Sequence, residues 1–496
     1  MFIFRNIRCR NRYPYLQHTA IRKCRVSTLW NRRFKNIRHF FAIPLYDLKP
    51  ATMGVILQSF YWDCPKHESQ EYNWWNFLKQ NVTAIANARF TALWLPPACK
   101  AANIGGMSMG YDPYDFYDLG SIDQKGSVKT WYGSQQELQD LINVAHAHNL
   151  QVYADMVLNH TNGADEEEIN AIDGVKRWTK YEPGSKKFSR DWTCYHPSNF
   201  ERMDNRVFEG MPDLCHRNPY VYSQIIEYAR WLIEEIGIDG LRYDFAKGYG
   251  TWVIQAILER LYQKNGGNTF SPFGVGEYWD DDDFITNWLR ETNANTDNPV
   301  SAFDFPLRYR LKDLCDQYGF DLRTLTQSGT LINDGLALQA VTFIENHDIA
   351  RSDPIVNDKI LAYAFILTHE GYPCIFWQDY FNFGLARGAT PNGIEALVHV
   401  HEHYAAGSTN ILYCDNDLYI MQRNGNDTHP GLVFVLNNSA RWNGREVITQ
   451  WANQEFKPLA WSGRDNNEVP ENKWTDGNGL SSFWAPPRGY AVYAPI

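Results

Sequence analysis

The sequence predicts an α/β protein built on a parallel (β/α)8 barrel, with an inserted subdomain after the third strand and a C-terminal antiparallel β domain. From Met53 onward, apolar segments of strand length alternate eight times with segments of helical period. A long polar stretch interrupts this alternation after the third strand. From about residue 405, short strands separated by turn signals replace the alternation altogether.

The first 52 residues differ in charge from everything that follows. Residues 1–52 contain twelve Lys and Arg but one acidic residue, a net charge of +11 in a chain whose total is −10. They lack the apolar core of a secretory signal and are typical of an organellar transit segment or of a mis-assigned start ahead of Met53. Residues 53–496 therefore carry a net charge of −21. This acidic charge argues against a nucleic-acid partner, since such a partner requires a basic surface.

The eight candidate strands have the apolar content of strands buried on both faces. In order they are VILQSFYWD, ALWLPP, QVYADMVLN, GLRYDFA, FGVGEYW, SAFDFPL, AVTFIEN and YPCIFWQD. An open doubly wound sheet is the alternative, but no glycine-rich phosphate loop follows the first strand. We therefore predict a barrel formed by residues 53–160 and 216–404.

Two of the intervening segments show clear helix signals. In SQQELQDLINVAHAH, Ser134 and Glu137 form a capping box, and the apolar face consists of Leu138, Leu141, Ile142 and Ala145. In YSQIIEYARWLIEEIG, Gly237 is the expected C-terminal stop, and the apolar stripe consists of Ile225, Tyr228, Ala229, Leu232 and Ile236.

Two regions lie outside the barrel pattern. Residues 161–215 are polar and irregular, and they are too long for an ordinary loop, so we predict an inserted subdomain B. Residues 405–496 contain NILYCDNDLYIMQRNGND and HPGLVFVLNNSA, which predict short antiparallel strands and a C-terminal β-sandwich.

The composition of the chain bears on membrane association and on the cellular compartment of the protein. No run approaches the roughly 18 apolar residues that a membrane span needs, so no membrane association is expected. The nine cysteines show no disulfide-framework spacing, which favours an intracellular, reducing location, either cytoplasmic or organellar. A monomer is expected. The 15% aromatic content is consistent with a large core or with sugar stacking.

Polar residues gather at the predicted carboxyl ends of four strands. In a barrel of this kind those ends face the active site, whatever its chemistry. The residues are Asn159, His160, Arg242, Asp244, Lys247, Glu277, Asn346, His347 and Asp348. One such acid is usually a salt bridge or a cap, but three acids at matching strand ends indicate a site.

The segment GIDGLRYDFAKG places a charged pair inside an apolar strand. Because side chains alternate along a strand, Arg242 and Asp244 share the inner face, while Leu241, Tyr243 and Phe245 face the other way. We interpret Arg242 as the cation that holds Asp244 ionised and oriented. A structural ion pair inside the barrel is the alternative.

Paired carboxylates are the minimum requirement for glycoside cleavage. One protonates the leaving oxygen, and the other attacks the anomeric carbon or activates water to do so. These roles require different pKa values, because the acid must stay protonated near neutral pH while the nucleophile stays ionised.

Four segments in order, DMVLNH, GLRYDFAKG, GEYW and FIENHD, resemble the four signature regions of the α-amylase family of retaining glycoside hydrolases. The resemblance covers residues 53–496 and includes GYDPYDFYDLG, AFDFPL and LAYAFILTHEGYPCIFWQDY. It is most similar to the archaeal-type and plant-type members. It implies endo-hydrolysis of α-1,4-glucosidic bonds in starch or glycogen, with an α-glucan polysaccharide or oligosaccharide as the partner.

The resemblance also implies roles for individual residues. Asp244 would be the nucleophile, Glu277 the general acid and then base, and Asp348 the acid that stabilises the distorted sugar. The implied sugar-contacting residues are Tyr111, which would stack beneath the ring, Lys247 on the leaving side, His160, His347 and Arg242.

A calcium site is implied beside the active site. Calcium takes six to eight oxygen ligands from carboxylates, amides and carbonyls. By the resemblance, Asn159 matches the amide ligand, Asp213 and Asp204 match carboxylate ligands, and Gly248 would supply its backbone carbonyl.

Some relatives hold a second metal near the calcium through His and Cys. His196 and Cys215 are suitably placed here, with His216 adjacent. The four ligands of a closed zinc site are not evident, so we predict a buried thiol and a loop histidine instead.

Three alternatives to an endo-acting hydrolase stay open. Transglycosylation and action on short maltooligosaccharides depend on loops that the signature regions do not describe. A catalytically silent glucan-binding scaffold is disfavoured, because all three acids and Arg242 are present.

Overall fold

The computed structural model describes residues 54–496, except 65–70, 104–107, 205, 209, 265–266, 268, 389 and 465–467. The basic segment 1–52 and Met53 lie outside the described residues, so the two interpretations of that segment stay predictions.

Eight parallel strands form the closed barrel that the sequence predicts. Each strand pairs with its neighbours in chain order, and the first pairs with the eighth. Every strand lies inside its predicted segment. The strands are β1 (Ile56–Gln58), β2 (Ala92–Trp94), β3 (Gln151–Met156), β4 (Gly240–Tyr243), β5 (Phe273–Gly276), β6 (Ser301–Phe303), β7 (Ala340–Phe343) and β8 (Tyr372–Phe376).

Helices follow the strands and cover the barrel. They are α1 (Trp74–Asn87), α2 (Gln135–Ala147), α3 (Pro219–Trp231), α4 (Thr251–Leu258), α5 (Asp282–Thr292), α6 (Phe305–Asp316), α7 (Ile349–Ser352), α8 (Lys359–Thr368) and α9 (Ile394–Tyr404). Helix α8 is buried from Ile360 to Thr368, because it packs against α6 and α9 on one side and against two strands of the C-terminal domain on the other.

The predicted helix signals are confirmed. At the start of α2 the Glu137 N–H donates to Ser134 Oγ, and the Ser134 N–H donates to Glu137 Oε2. Helix α3 continues as a π-helical turn over Leu232–Ile236 and ends at Gly237, whose φ of 97° is left-handed. All residues of both predicted apolar faces are buried.

The insertion between β3 and α3 contains more regular structure than the sequence predicts. Strands Glu166–Ile169 and Lys176–Lys180 form an antiparallel hairpin, so the description of 161–215 as irregular is wrong for this part. The hairpin was missed because its strands are polar and exposed. The end of the insertion pairs with its beginning, since Asp213 forms a β-bridge with His160 and the Leu214 N–H donates to the Asn159 carbonyl.

The C-terminal region is antiparallel, as predicted. Its strands are β9 (Thr409–Cys414), β10 (Leu418–Arg423), β11 (Leu432–Asn437), β12 (Asn443–Ile448), β13 (Glu455–Ser462), β14 (Lys473–Trp474), β15 (Leu480–Ala485) and β16 (Gly489–Pro495). Six form one sheet in the order β9-β10-β11-β16-β13-β14, and β12 pairs with β15. Residues of both sheets share a core that includes Val433, Val447, Phe483 and Tyr493. The predicted limits of the domains stay predictions.

The cysteines of the described part of the chain do not form disulfides. Cys194, Cys215, Cys315 and Cys374 are buried, and Cys414 is half-buried. Within the described ranges, no helix combines the length and the apolar character needed to cross a bilayer.

Candidate active site

The three predicted acids line one cleft at the carboxyl ends of the barrel strands. The cavity has a volume of about 420 Å³, and Asp244, Glu277 and Asp348 all contribute to its surface. These acids follow β4, β5 and β7 in the chain. Of the predicted sugar-contacting residues, Tyr111, His160 and Lys247 also line this cleft.

Arg242 on β4 joins the strand ends from beneath the cleft. Its Nη1 lies 2.7 Å from Asp155 Oδ1 and 2.8 Å from Asp244 Oδ1, while its Nη2 lies 2.9 Å from Glu277 Oε2. Arg242 is fully buried, with a relative exposure of 1%. The predicted ion pair with Asp244 is therefore present. The same guanidinium also contacts Asp155 and Glu277, which come from two other strands.

Asp155 on β3 is an acidic residue of the site that the sequence analysis missed. Its Oδ2 accepts hydrogen bonds from Tyr111 Oη at 2.8 Å and from Trp94 Nε1 at 3.2 Å, in addition to the Arg242 contact. The signal was available, because an acid interrupts the apolar run QVYADM just as Arg242 and Asp244 interrupt theirs.

Two of the three carboxyls around this guanidinium, those of Glu277 and Asp155, have raised pKa values. Burial raises the pKa of Glu277 to about 8, with Asp244 and Asp348 adding to the rise and Arg242 opposing it. Burial also raises the pKa of Asp155 to about 7, against the lowering effect of Arg242. Asp155 accepts more hydrogen bonds to its ionised form than Glu277 does, so the retained proton belongs on Glu277.

The chain after β4 does not follow the predicted strand alternation. Phe245 was expected to face away from Asp244, but both residues line the cleft. The expectation was wrong because β4 ends at Tyr243 and Phe245 adopts a left-handed φ of 44°. In this conformation the Phe245 N–H donates to Glu277 Oε2 at 3.0 Å, which links the turn to the predicted acid.

His347 is a neutral partner of Asp348. Burial, assisted by the charge of Arg242, lowers the pKa of His347 well below its usual value. Gln58 Nε2 donates to His347 Nδ1 at 2.9 Å, so the ring proton lies on Nε2, which is 3.2 Å from Asp348 Oδ2. Burial raises the pKa of Asp348, while Arg242 and Arg351 oppose this rise.

Parallel rings form one wall of the site. The ring of Tyr111 stacks on His347 with centroids 5.0 Å apart and planes 5° apart, and Trp62 stacks on Tyr111 at 6.1 Å and 8°. The Arg351 guanidinium lies 3.9 Å from the centroid of Trp62. Trp62 and Arg351 line the cleft but were not predicted, since neither belongs to a signature segment.

His160 and Lys247, two predicted sugar-contacting residues that line the cleft, also form hydrogen bonds within the protein. His160 Nε2 donates to the Tyr111 carbonyl at 3.0 Å, and its ring stacks on Phe208 at 4.4 Å. Lys247 Nζ donates to the Trp279 carbonyl at 2.5 Å. Phe208 and Trp279 thus add aromatic surface to the cleft that the sequence did not single out.

The predicted calcium ligands include buried oxygens that accept no hydrogen bond. Among the described residues, Asn159 Oδ1, Asp204 Oδ1 and Asp213 Oδ1 are buried oxygens without a hydrogen-bond partner. A Cβ added to Gly248 would lie 2.0 Å from Asn159 Oδ1, so the Gly248 backbone closely approaches this oxygen. Burial, reinforced by Asp213, raises the pKa of Asp204 to about 7. Buried acceptors without donors fit a hard cation.

His196 and Cys215 do approach each other, together with Glu201, which the sequence analysis did not consider. These three residues offer ligand atoms within 4.8 Å of one another, as do His196, Asp204 and Asp213. The His196 Nδ1 lies 2.8 Å from Asp213 Oδ2. His216 is directed elsewhere, since its Nε2 donates to the Leu158 carbonyl.

Comparison with known proteins agrees with this geometry. The family described as "Alpha amylase, catalytic domain" matches residues 78–383, and the family described as "Alpha-amylase C-terminal" matches residues 432–494. The chain belongs to the α-amylase family. It is a glycoside hydrolase of that family, and the first match alone spans more than half of the chain.

Two relatives and one solved structure illustrate the similarity. An α-amylase of Bacillus licheniformis is 31% identical, over 77% of this chain and 83% of the relative. A cytoplasmic α-amylase of Escherichia coli is 28% identical, over 87% of this chain and 96% of the relative. The crystal structure of an α-amylase from Geobacillus thermoleovorans, complexed with acarbose, has the same fold, with a TM-score of 0.64 at 19% identity over 90% and 98% of the two chains.

Replacing Arg242 by methionine should destabilise the protein by about 3–5 kcal/mol, because buried carboxylates lose their countercharge. The folded-state pKa values of Glu277 and Asp155 already lie above their usual values, so these groups favour folding less as pH rises through 4 to 8. Removal of the cation raises both pKa values further. Urea unfolding should therefore reveal a larger loss at pH 8 than at pH 5.

The control is the double variant Arg242→Met/Asp155→Asn, which removes one carboxylate with the cation and should recover part of the loss at pH 8. Equal losses at both pH values would contradict the charge argument.

Proposed function

We propose that the protein is an α-amylase that cleaves internal α-1,4-glucosidic bonds of starch- or glycogen-type glucans with retention of configuration. The observation that supports it best is the shared guanidinium of Arg242, which contacts both Asp244 and Glu277 while burial favours a proton on Glu277. Two carboxyls of unlike protonation beside one cleft are what double displacement requires.

In the first step, the protonated Glu277 donates its proton to the glycosidic oxygen as the bond to the anomeric carbon breaks. The Asp244 carboxylate attacks that carbon from the opposite face and forms a covalent β-glycosyl ester. Arg242 holds the attacking carboxylate in place through its 2.8 Å contact.

In the second step, the ionised Glu277 accepts a proton from a water molecule whose oxygen attacks the anomeric carbon. The ester bond to Asp244 breaks, its carboxylate is regenerated, and the product leaves in the α configuration. Asp348 and the neutral His347 would bind the hydroxyls of the distorted sugar, while Tyr111 stacks beneath it and His160 and Lys247 flank it.

We also propose that Asn159, Asp204, Asp213 and the Gly248 carbonyl hold a calcium ion. The buried oxygens without donors support this assignment. When bound, the ion supplies positive charge that neutralises the two carboxylates and cross-links the insertion to the barrel. Since Asn159 precedes His160, the ion would fix the backbone that presents a sugar-binding histidine.

An intracellular location is part of the proposal. The cysteine spacing of the sequence shows no disulfide framework, which favours a reducing compartment. A cytoplasmic or an organellar enzyme is consistent with this feature.

The test of the function is digestion of amylose followed by NMR of the newly formed reducing ends. We expect α anomers to appear first and fragments of mixed length to accumulate early, because retention gives α products and internal cleavage gives mixed lengths. Initial β anomers would exclude double displacement. Larger products formed from added acceptors would indicate transglycosylation instead.

The acid role of Glu277 predicts a dependence on the leaving group. Glu277→Gln should lower kcat on amylose by about 10²–10⁴-fold but lower the first step with α-glucosyl fluoride far less, since fluoride leaves without protonation. For the wild type, kcat/KM on amylose should fall as pH rises through about 8, because Glu277 then loses its proton.

Glu277→Asp serves as the matched variant, since it keeps the carboxyl group but displaces it. Equal losses on both substrates for Glu277→Gln would argue against the acid role.

Calcium removal should lower the unfolding temperature, because a ligand that binds only the folded state stabilises it. Calorimetry with and without added calcium should detect the shift in the wild type and a smaller shift in Asp204→Asn. The control, Glu166→Gln, alters an exposed acid of the same insertion and should retain the wild-type shift. An unchanged wild-type melting curve after complete chelation would contradict the site.

A further inference from the structure

The connection between β7 and α8 presents three side chains to the cleft at the strand ends. Residues 344–355, here called the α7 loop, include the one-turn helix α7 and the cleft-lining residues Asp348, Arg351 and Ser352. A helix of one turn is not stable by itself, because fixing its first turn is unfavourable. The position of these three side chains therefore depends on contacts that hold the two ends of the loop.

Arg308 on α6 contacts both ends of the α7 loop. Where the loop begins, Arg308 Nε donates to the Ile344 carbonyl at 3.1 Å, and Nη2 lies 3.4 Å from Glu345 Oε2. Where the loop returns, Nη1 lies 3.0 Å from Asp353 Oδ2, and Nη2 also donates to the Asp353 carbonyl. One guanidinium thus joins the two ends of the segment that carries Asp348.

The guanidinium is shielded from water. Arg308 has a relative exposure of 0%, and Glu345 is buried beside it, whereas the Asp353 side chain is 48% exposed. Burial strengthens hydrogen bonds, and the planar fork of an arginine fixes the directions of its acceptors, which a lysine ammonium does not. The contact therefore fixes the geometry of the loop ends as well as balancing their charge.

Glu345 joins the ends of the loop a second time. Its Oε1 accepts a hydrogen bond from the Ile355 N–H at 2.6 Å and lies 3.2 Å from Lys359 Nζ. Two cations, those of Arg308 and Lys359, therefore balance the buried carboxylate. A buried acid is stable only with such partners, so the position of Glu345 depends on Arg308.

Hydrogen bonds inside the α7 loop connect its ends to Asp348. Asn346 Oδ1 accepts from the N–H groups of Asp348 and Ile349, at 3.0 and 2.8 Å. The Asp353 N–H donates to the Ile349 carbonyl at 2.8 Å. A displacement of Asp353 is therefore transmitted through α7 to the backbone of Asp348.

We propose that Arg308 is a positioning residue that acts through the α7 loop and holds Asp348 in place at the cleft. This inference rests on the proposed function, in which Asp348 stabilises the distorted sugar. Arg308 is not among the described residues that line the cleft, so it does not contact the sugar itself. Because Asp348 acts mainly on the distorted sugar, loss of Arg308 should lower kcat more than it raises KM.

The first test is the charge-conserving variant Arg308→Lys. It keeps a cation but loses the fork, so kcat on amylose should fall by about tenfold while KM stays within about twofold. Asp353→Asn alters the half-exposed end of the same contact and should lower kcat by about threefold without loss of the fold. It tests the proposal even if Arg308→Lys does not fold.

A double-mutant cycle separates positioning of Asp348 from a general loss of structure. In the Asp348→Asn background, adding Asp353→Asn or Arg308→Lys should lower kcat by less than about twofold, because the group that they position is already lost. A merely structural role would multiply the two losses.

Hydrogen exchange followed by mass spectrometry tests the loop itself. Exchange of the Asp348 and Ile349 amides should rise by about tenfold in Arg308→Lys and in Asp353→Asn, because the loop opens more often. The matched control is Asp140→Asn. Asp140 is 42% exposed and lies 3.3 Å from Lys79, in an ion pair between α2 and α1. This variant should keep wild-type exchange in the α7 loop and wild-type kcat.

Unchanged exchange in the α7 loop of both folded variants would overturn the proposal, as would losses of kcat that multiply with Asp348→Asn. Exchange does not require turnover. If the wild type cleaves no α-glucan, the proposed function fails, while the exchange measurement still decides whether Arg308 orders the loop that carries Asp348.

Discussion

Arg242 lies buried on β4 with its guanidinium against Asp155, Asp244 and Glu277, and the arrangement of the cleft at the strand ends depends on this contact. Burial of one cation among three carboxyls is favourable only when the charges are nearly balanced and the hydrogen bonds are complete. A proton retained on one carboxyl reduces the excess of negative charge around the guanidinium. The same interaction therefore holds three strand ends together, at a place where burial favours a proton on Glu277.

The barrel was predictable because strands buried on both faces are apolar runs of defined length, and all eight were recognised. The three acids were recognised for a related reason, since a charge at the end of an apolar run requires a partner or a function. The hairpin of the insertion was missed because its strands are exposed and polar, so burial leaves no periodic signal in them.

Other features of the site depend on contacts that no local pattern contains. The left-handed Phe245 is not a glycine, and its conformation follows from the end of β4 and the hydrogen bond to Glu277. The approach of Glu201 to His196 and Cys215 depends on the path of the insertion.

The buried cysteines have a practical consequence. Burial raises the pKa of Cys315 to about 12 and that of Cys374 well above its usual range, so both thiols are protonated and shielded in the native state. Cys374 belongs to β8 and Cys315 to α6, whereas the half-buried Cys414 belongs to the C-terminal sheet. Alkylation kinetics followed by peptide mass spectrometry would then report separately how often the barrel and the C-terminal sheet open, without any introduced label.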